Sequence, residues 1–358
     1  MPVISLVTGS TGFLGTAVVE QLCAAGTPKV RCFVRPTSDR RKLEQIQNKY
    51  PTTTLQFIEG NLLSGSGAAA ATENVDTVYH LAAEMRGPAP GVFANTVITS
   101  RNLLEGITKH KVRRVVLASS ICVYALSKIP RTSVVTEDTE LEAYPERRDV
   151  YTFTKLKQEL LFQQYQRDHT FELVILRPSF IYGEGRDVLP SRAGLRLGNL
   201  IIEIAGKNQL PLVHVTNCAK AFILAGYEDV VPEGSYNVVD DELPSVAEYL
   251  SLYQSFSKST FRMRLPFCLA MLLSFLLEDY HAHSKGQIPV VLTPYRLKAG
   301  WGGHVFSSEK LKSLGWISSV SIRDGLFRAL QADGATEPSP ISETLVTQLE
   351  PSVARNEN

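Results

Sequence analysis

A chain of 358 residues is long enough to bury a large core and reads as two domains, or one large domain carrying a lobe. Lys plus Arg number 37 against 36 Asp plus Glu, so no net field favours nucleic acid or an acidic partner, and the expected partner is a small molecule. Five cysteines (Cys23, Cys32, Cys122, Cys218 and Cys268) form no CxxC pair, which fits reduced thiols in a cytoplasmic compartment better than a disulfide framework.

The first residues run directly into an apolar strand without a basic and then apolar leader, so no secretory signal is expected. Strands are predicted near Val3–Val7, Lys29–Val34, Leu55–Ile58, Asp76–Leu81, Arg114–Ala118 and Glu172–Leu176, with amphipathic helices between them. That alternation predicts an α/β fold, a doubly wound parallel sheet covered by helices on both faces. Residues 125–149 are polar and read as an irregular loop. Beyond Pro178 the periodicity weakens, and a smaller, mostly helical C-terminal lobe is expected to shape the substrate pocket. The apolar run Leu265–Leu277 is shorter than the ~20 residues needed to cross a bilayer; it reads as a buried helix, with peripheral membrane contact as the alternative. Residues 331–358 lose their aromatics and gain Pro, Ser, Thr and Glu, the composition of a disordered tail.

Between the first strand and the first helix stands TGSTGFLG, Thr8–Gly15. Gly9, Gly12 and Gly15 permit a tight turn, close approach of a pyrophosphate, and close packing of helix on strand, while amides at the helix start face the anion. Thr11, Phe13 and Leu14 belong to the same cofactor-binding turn. The second strand ends in Arg35, with Arg40 and Arg41 nearby and no acidic residue at the strand end, so the spacing points to NADP rather than NAD.

Tyr151 and Lys155 lie four apart at the start of a helical stretch, placing a phenol and an ammonium on one face, where the cation would favour the phenolate. Tyr151 could then exchange a proton with a substrate oxygen during hydride transfer. The strand at Arg114–Ala118 ends in Ser119-Ser120, and ligands of such sheets bind at the carboxyl ends of strands. Ser120 is the candidate for polarising the carbonyl, ahead of Ser119. His281 and His283 lack a ligating constellation, so no metal is expected, and His214 reads as packed.

Together TGSTGFLG, HLAA at 80–83, SSICVY at 119–124, YTFTK at 151–155 and LRPSFIYG at 176–183 resemble the extended short-chain dehydrogenase/reductase family, whose fold is the Rossmann sheet. The resemblance implies that Ser120, Tyr151 and Lys155 are catalytic, with Lys155 also holding the nicotinamide ribose. It implies that Asn95 supports the lysine through a water and that Asn61 and Leu62 lie beside adenine. It also implies that Leu81, Ala82 and Ala83 line the cofactor backbone, and Pro178 to Ile181 the nicotinamide side. The expected organisation is residues 1–178 plus about 211–241 for the dinucleotide and 179–210 plus 242–330 for the substrate. The C-terminal lobe resembles the 3β-hydroxysteroid dehydrogenase-like branch, which implies a bulky secondary alcohol or ketone, steroid-like or β-keto. Ile121 and Cys122 stand where the family's dehydratases carry an acidic pair, which argues against elimination. A nucleotide-sugar epimerase and a non-catalytic dinucleotide sensor are the rival readings. The family's habit of pairing through helices implies a homodimer.

Overall fold

The computed structural model describes residues 4–332 apart from 187–188, 228, 257–259 and 285–291; the expected tail lies outside the described residues beyond 332. Its strands are β1 Ile4–Thr8, β2 Lys29–Val34, β3 Thr54–Glu59, β4 Thr77–His80, β5 Arg114–Ala118, β6 Val134–Val135, β7 Glu172–Pro178, β8 Phe180–Tyr182, β9 Leu195–Leu197, β10 Leu200–Ile204, β11 Leu212–His214, β12 Gly234–Val238, β13 Phe261–Leu265 and β14 Val305–Phe306. The helices up to the C-terminal lobe are α1 Phe13–Ala24, α2 Arg41–Lys49, α3 Gly65–Thr72, α4 Ala89–Phe93, α5 Thr99–His110, α6 Val150–Asp168, α7 Val215–Ala225, α8 Val246–Phe256 and α9 Phe267–His283.

Seven strands form one parallel sheet in the order β12-β7-β5-β4-β1-β2-β3. Both faces are covered, so successive strand residues alternate between two apolar layers rather than between core and water. Val7, Val116 and Val174 join α1 and α7 in one layer, with Val18, Leu22 and Phe222. Leu6, Val115, Leu117 and Ile175 enter the other, against Leu103, Leu104 and Phe162 of α5 and α6. Sequence order reverses where β1 lies between β2 and β4, the point beyond whose strand carboxyl ends sheets of this kind bind ligands.

Buried arginines tie two inner strands, β2 and β5, to helix ends. Arg31 donates to the carbonyls of Ala71 (2.8 Å) and Glu73 (2.6 Å) at the end of α3. Arg114 donates to Ala225 O (2.9 Å) at the end of α7. Each satisfies carbonyls that a terminating helix leaves without intrahelical partners.

Strands β9, β10 and β13 form a second, three-stranded sheet that the sequence reading missed. The expectation of a buried helix at Leu265–Leu277 is corrected here. Only Ala270 and Ser274 of α9 are buried, while Leu272 and Leu276 are 56% and 58% exposed.

Candidate active site

The strand register brings the motifs to one edge. Thr8 pairs with His80, His80 with Leu117, and Ala118 with Leu176, so Gly9, Leu81, Ser119 and Pro178 leave the sheet at neighbouring points. Gly9 adopts φ +70°, and a Cβ there would lie 2.9 Å from Ala82 N. A Cβ on Gly15 would lie 2.0 Å from Gly9 O, so only glycine lets α1 start this close to β1. No side chain caps α1 at Gly12, and its first turn holds no acidic residue. Its leading amides thus remain free to face an anion, and a dinucleotide pyrophosphate fits this cradle. Thr11, Phe13 and Leu14 border it, and Leu81, Ala82 and Ala83 lie half-buried opposite. Asn61 is exposed at the end of β3, its side chain accepting from Leu63 N at 2.9 Å, and Leu62 is buried beneath it, its carbonyl accepting from Asn102 at 2.8 Å.

Ser119 and Ser120 are separated by their partners. The Ser119 hydroxyl donates to Glu159, whose carboxylate also holds Arg177 at 2.5 Å in a fully buried pair. Arg177 in turn donates to the Tyr124 hydroxyl (2.9 Å), which donates to Asn237 (2.6 Å). Ser119 is therefore committed to the scaffold. Ser120 caps the short turn Ile121–Val123, accepting from Cys122 N at 3.3 Å, and its hydroxyl interacts with the Tyr151 phenol. Tyr151 stands in the first turn of α6, which Asp149 caps through Thr152 N at 2.8 Å.

Lys155 is buried, and burial lowers its pKa to about 8. Its ammonium donates to Ala118 O and to Gln158 Oε1 (2.6 Å). Gln158 continues to Ser100 (2.8 Å), Ser100 to His80 (2.9 Å), and His80 to Thr8 (2.7 Å), so a buried polar chain joins the lysine to the strand that carries the glycine turn. Burial, with Lys155 adding to it, lowers the His80 pKa to about 3 and keeps the ring neutral. Sequence reading missed Gln158, Glu159, Ser100 and Arg177; the signal was Gln158 three positions after Lys155 on a helix face, where side chains meet. The phenol also departs from expectation. Burial raises the Tyr151 pKa, Cys122 adds to this, and the groups opposing it are Ser120 and Arg186 rather than Lys155.

Asn95 lies half-buried in a π-helical turn, Ala94–Ile98, that packs against α6. Pro178 ends β7 beside Val238, and Ile181 sits in β8 against Val213. His214 is packed edge-on against Tyr182, with ring centroids 5.3 Å apart. Among the described residues no group of three or more His, Cys, Asp or Glu is placed to hold a metal ion.

A second cluster faces the Ser120 turn. Arg192, on the turn Ser191–Ala193, stacks over Phe306 at 5.3 Å, and burial followed by the neighbouring Arg148 lowers its pKa to about 10. No ion pair joins Arg192 to a carboxylate among the described residues; Cys122 and Asp149 are the groups that favour its charge. Arg148 is itself buried, 3.5 Å from Glu142. Arg186 spans Phe13 and Phe180, 5.2 and 5.6 Å from their ring centroids.

A model of the NAD dependent epimerase/dehydratase family matches residues 5–238. An uncharacterized UDP-glucose epimerase, YtcB of Bacillus subtilis (strain 168), is 28% identical over 274 residues, 70% of this chain and 81% of that protein. The N-acetyl-alpha-D-glucosaminyl-diphospho-ditrans,octacis-undecaprenol 4-epimerase of Escherichia coli O157:H7 is 26% identical over 344 residues, 91% and 94% of the two chains. Among solved structures, UDP-glucuronic acid 4-epimerase from Bacillus cereus superposes with a TM-score of 0.68 at 20% identity, covering 92% of this chain and 96% of that one.

The expected preference for NADP is corrected to NAD. The Bacillus cereus structure, that of MoeE5, and those of the Thermus thermophilus and Bifidobacterium longum UDP-glucose 4-epimerases are all complexes with NAD. The arginines behind the expectation are also largely committed. Arg40 pairs with Glu59, which the sheet places beside Val34, and Arg41 pairs with Asp39 at 2.6 Å. Carboxylates beside the end of β2 oppose a ribose phosphate there.

Proposed function

Because this chain belongs to the NAD-dependent epimerase/dehydratase family, we propose that it inverts a secondary alcohol of a nucleotide-linked sugar. At the coarser level it is an NAD-dependent enzyme acting on CH–OH groups. The observation that carries the finer reading is the Arg192 and Arg148 pair. A half-buried guanidinium without its own carboxylate, beside the buried Arg148, favours a ligand that brings an anion, and a diphosphate does so where a steroid does not. Relatives whose names specify epimerases of diphospho-linked sugars support the same reading. The steroid-like or β-keto alternative leaned on the apolar run of the lobe, but α9 leaves most of its apolar side chains exposed.

Bound NAD would supply a hydride acceptor and donor, the redox couple that inversion at a secondary alcohol carbon requires. The glycine turn and the amides of α1 would hold the pyrophosphate, and Arg35 becomes a solvated side chain at the ribose end. Lys155 and Asn95 would position the nicotinamide half from α6 and the π-helical turn. Tyr151 Oη would receive the hydroxyl proton and return it, with Ser120 Oγ hydrogen bonded to the same oxygen. Since the phenol pKa is raised, Tyr151 rests protonated and takes up this role only as Ser120 and Arg186 favour the phenolate.

Incubation with UDP-glucose, UDP-N-acetylglucosamine and UDP-glucuronic acid tests the reading. One of them is expected to yield its epimer without net accumulation of NADH, and denaturing the purified protein is expected to release NAD. Arg192→Met should raise KM about tenfold or more, and Tyr151→Phe should lower turnover by ~10²–10⁴-fold with the NAD content unchanged. Stoichiometric NADH and a ketone product, or turnover of a steroid in preference to every sugar nucleotide, would overturn it.

A further inference from the structure

We propose that α9 and the adjoining three-stranded sheet dock the enzyme on the surface of an anionic phospholipid bilayer. This docking is independent of the reaction assigned above.

The helix begins after Pro266, and no charged residue occurs before Glu278. Leu269, Leu272, Leu273, Phe275, Leu276 and Leu277 are all about half exposed or more. At 3.6 residues per turn these side chains, with Cys268 and Tyr280, cover about 200° of the helix. Only Ala270 and Ser274 are buried beneath it. A helix that packs on one neighbouring helix needs a stripe of roughly 100°, so a second protein copy would leave half of this arc in water. A bilayer interface covers the whole arc.

The sheet beside α9 extends the apolar face. Register places Leu197, Leu200 and Phe261 in one row and Leu195, Ile202 and Met263 in the next alternate row, on one side of the sheet. Leu195, Ile202 and Leu265 pack against Ala270 and Phe267 of α9, while Leu197, Phe261 and Met263 remain exposed, Phe261 by 72%. Apolar area of this extent on an otherwise polar surface marks an interaction site.

The edge of the face supplies charge of the matching sign. Arg131 stacks over Phe267 at 3.8 Å from an exposed position. Arg262 and Arg264 alternate with Phe261 and Met263 and so start from the other side of the sheet, where they share the single carboxylate of Glu203 at 2.5 and 3.4 Å; the Arg264 side chain is 76% exposed at the strand edge. Arg196, exposed on the opposite edge strand, pairs with Ile201 and starts from that same other side. Cations placed around an apolar helix suit lipid phosphates, whereas the acidic pair Glu278 and Asp279 marks the end that stays in water. Among the described residues no helix is long and apolar enough to cross a membrane, so the helix lies on the bilayer.

The test is cosedimentation of the full-length protein with vesicles of phosphatidylcholine and phosphatidylglycerol. Binding is expected, with a partition coefficient at least tenfold lower for the double variant Leu272→Glu, Leu276→Glu. That variant should keep its NAD content and turnover of soluble substrate, since both side chains are exposed and remote from the residues assigned to the cleft. As a second measurement, Phe275→Trp should show blue-shifted emission on adding vesicles. Absence of binding, or binding undiminished in the double variant, would overturn the proposal. So would sedimentation as a dimer that the double variant dissociates and that vesicles do not recruit.

Discussion

The carboxyl edge of the main sheet and the outer face of the C-terminal lobe depart from the usual protein surface and core in opposite directions. At the edge, polar groups are buried: Ser119, Glu159, Arg177, Lys155, His80 and Ser100 are all shielded from water, each with a partner inside the protein. On the lobe, leucines and phenylalanines stand in water, with nothing among the described residues covering them. These six groups are satisfied within the chain itself, so this network needs nothing from outside. An exposed apolar face is stabilised by something outside the chain. The first region thus fixes a geometry for chemistry, and the second an address.

The sharpest way to break the first region is to remove one member of its buried ion pair. Arg177→Met leaves the Glu159 carboxylate buried with Ser119 alone, and a loss of about 3–5 kcal/mol in urea unfolding is expected. The paired changes Leu104→Ala and Leu276→Ala separate the two regions directly. The fully buried Leu104 should cost about 2–5 kcal/mol, and the exposed Leu276 within about 0.5 kcal/mol. Equal losses would mean that α9 is covered. The smallest effect is in pH. His80 titrates near its ordinary 6.5 in the unfolded chain but only near about 3 when folded, and His214, lowered mainly by burial, near about 4. Between those values the unfolded chain binds more protons, so the stability present above about pH 6.5 is lost progressively as pH falls toward 3. His80→Asn should make the fall in urea midpoint across that window shallower.

Much of the first region is legible in the sequence. Strands β2 and β5 occur at the expected boundaries because apolar runs bounded by turn residues have few alternatives. Ser120, Tyr151 and Lys155 are readable because chemistry restricts residue type and helical spacing restricts position. What holds them is not. Glu159 and Arg177 belong to different elements, and only the packing of α6 on β7 brings them together. The cofactor inference failed for a similar reason, since Glu59, which occupies Arg40, comes from a neighbouring strand. The exposure of α9 is hidden because an apolar run of this length looks the same whether it faces a core or a surface.

The chain of hydrogen bonds from Thr8 to Lys155 also has a direction. Gln158 accepts from Lys155 at its carbonyl oxygen and donates from its amide nitrogen to Ser100, whose hydroxyl donates to Thr96 O at 2.5 Å. His80 Nε2 lies 2.9 Å from Ser100 Oγ and 3.2 Å from Gln158 Nε2, and Nδ1 lies 2.7 Å from Thr8 Oγ1, with the imidazole neutral. The network thus holds five side chains at once, Thr8, His80, Ser100, Gln158 and Lys155. Lys155 gives its proton toward Gln158 and can receive none back along this path, so the network behind the cleft is a brace and not a conduit.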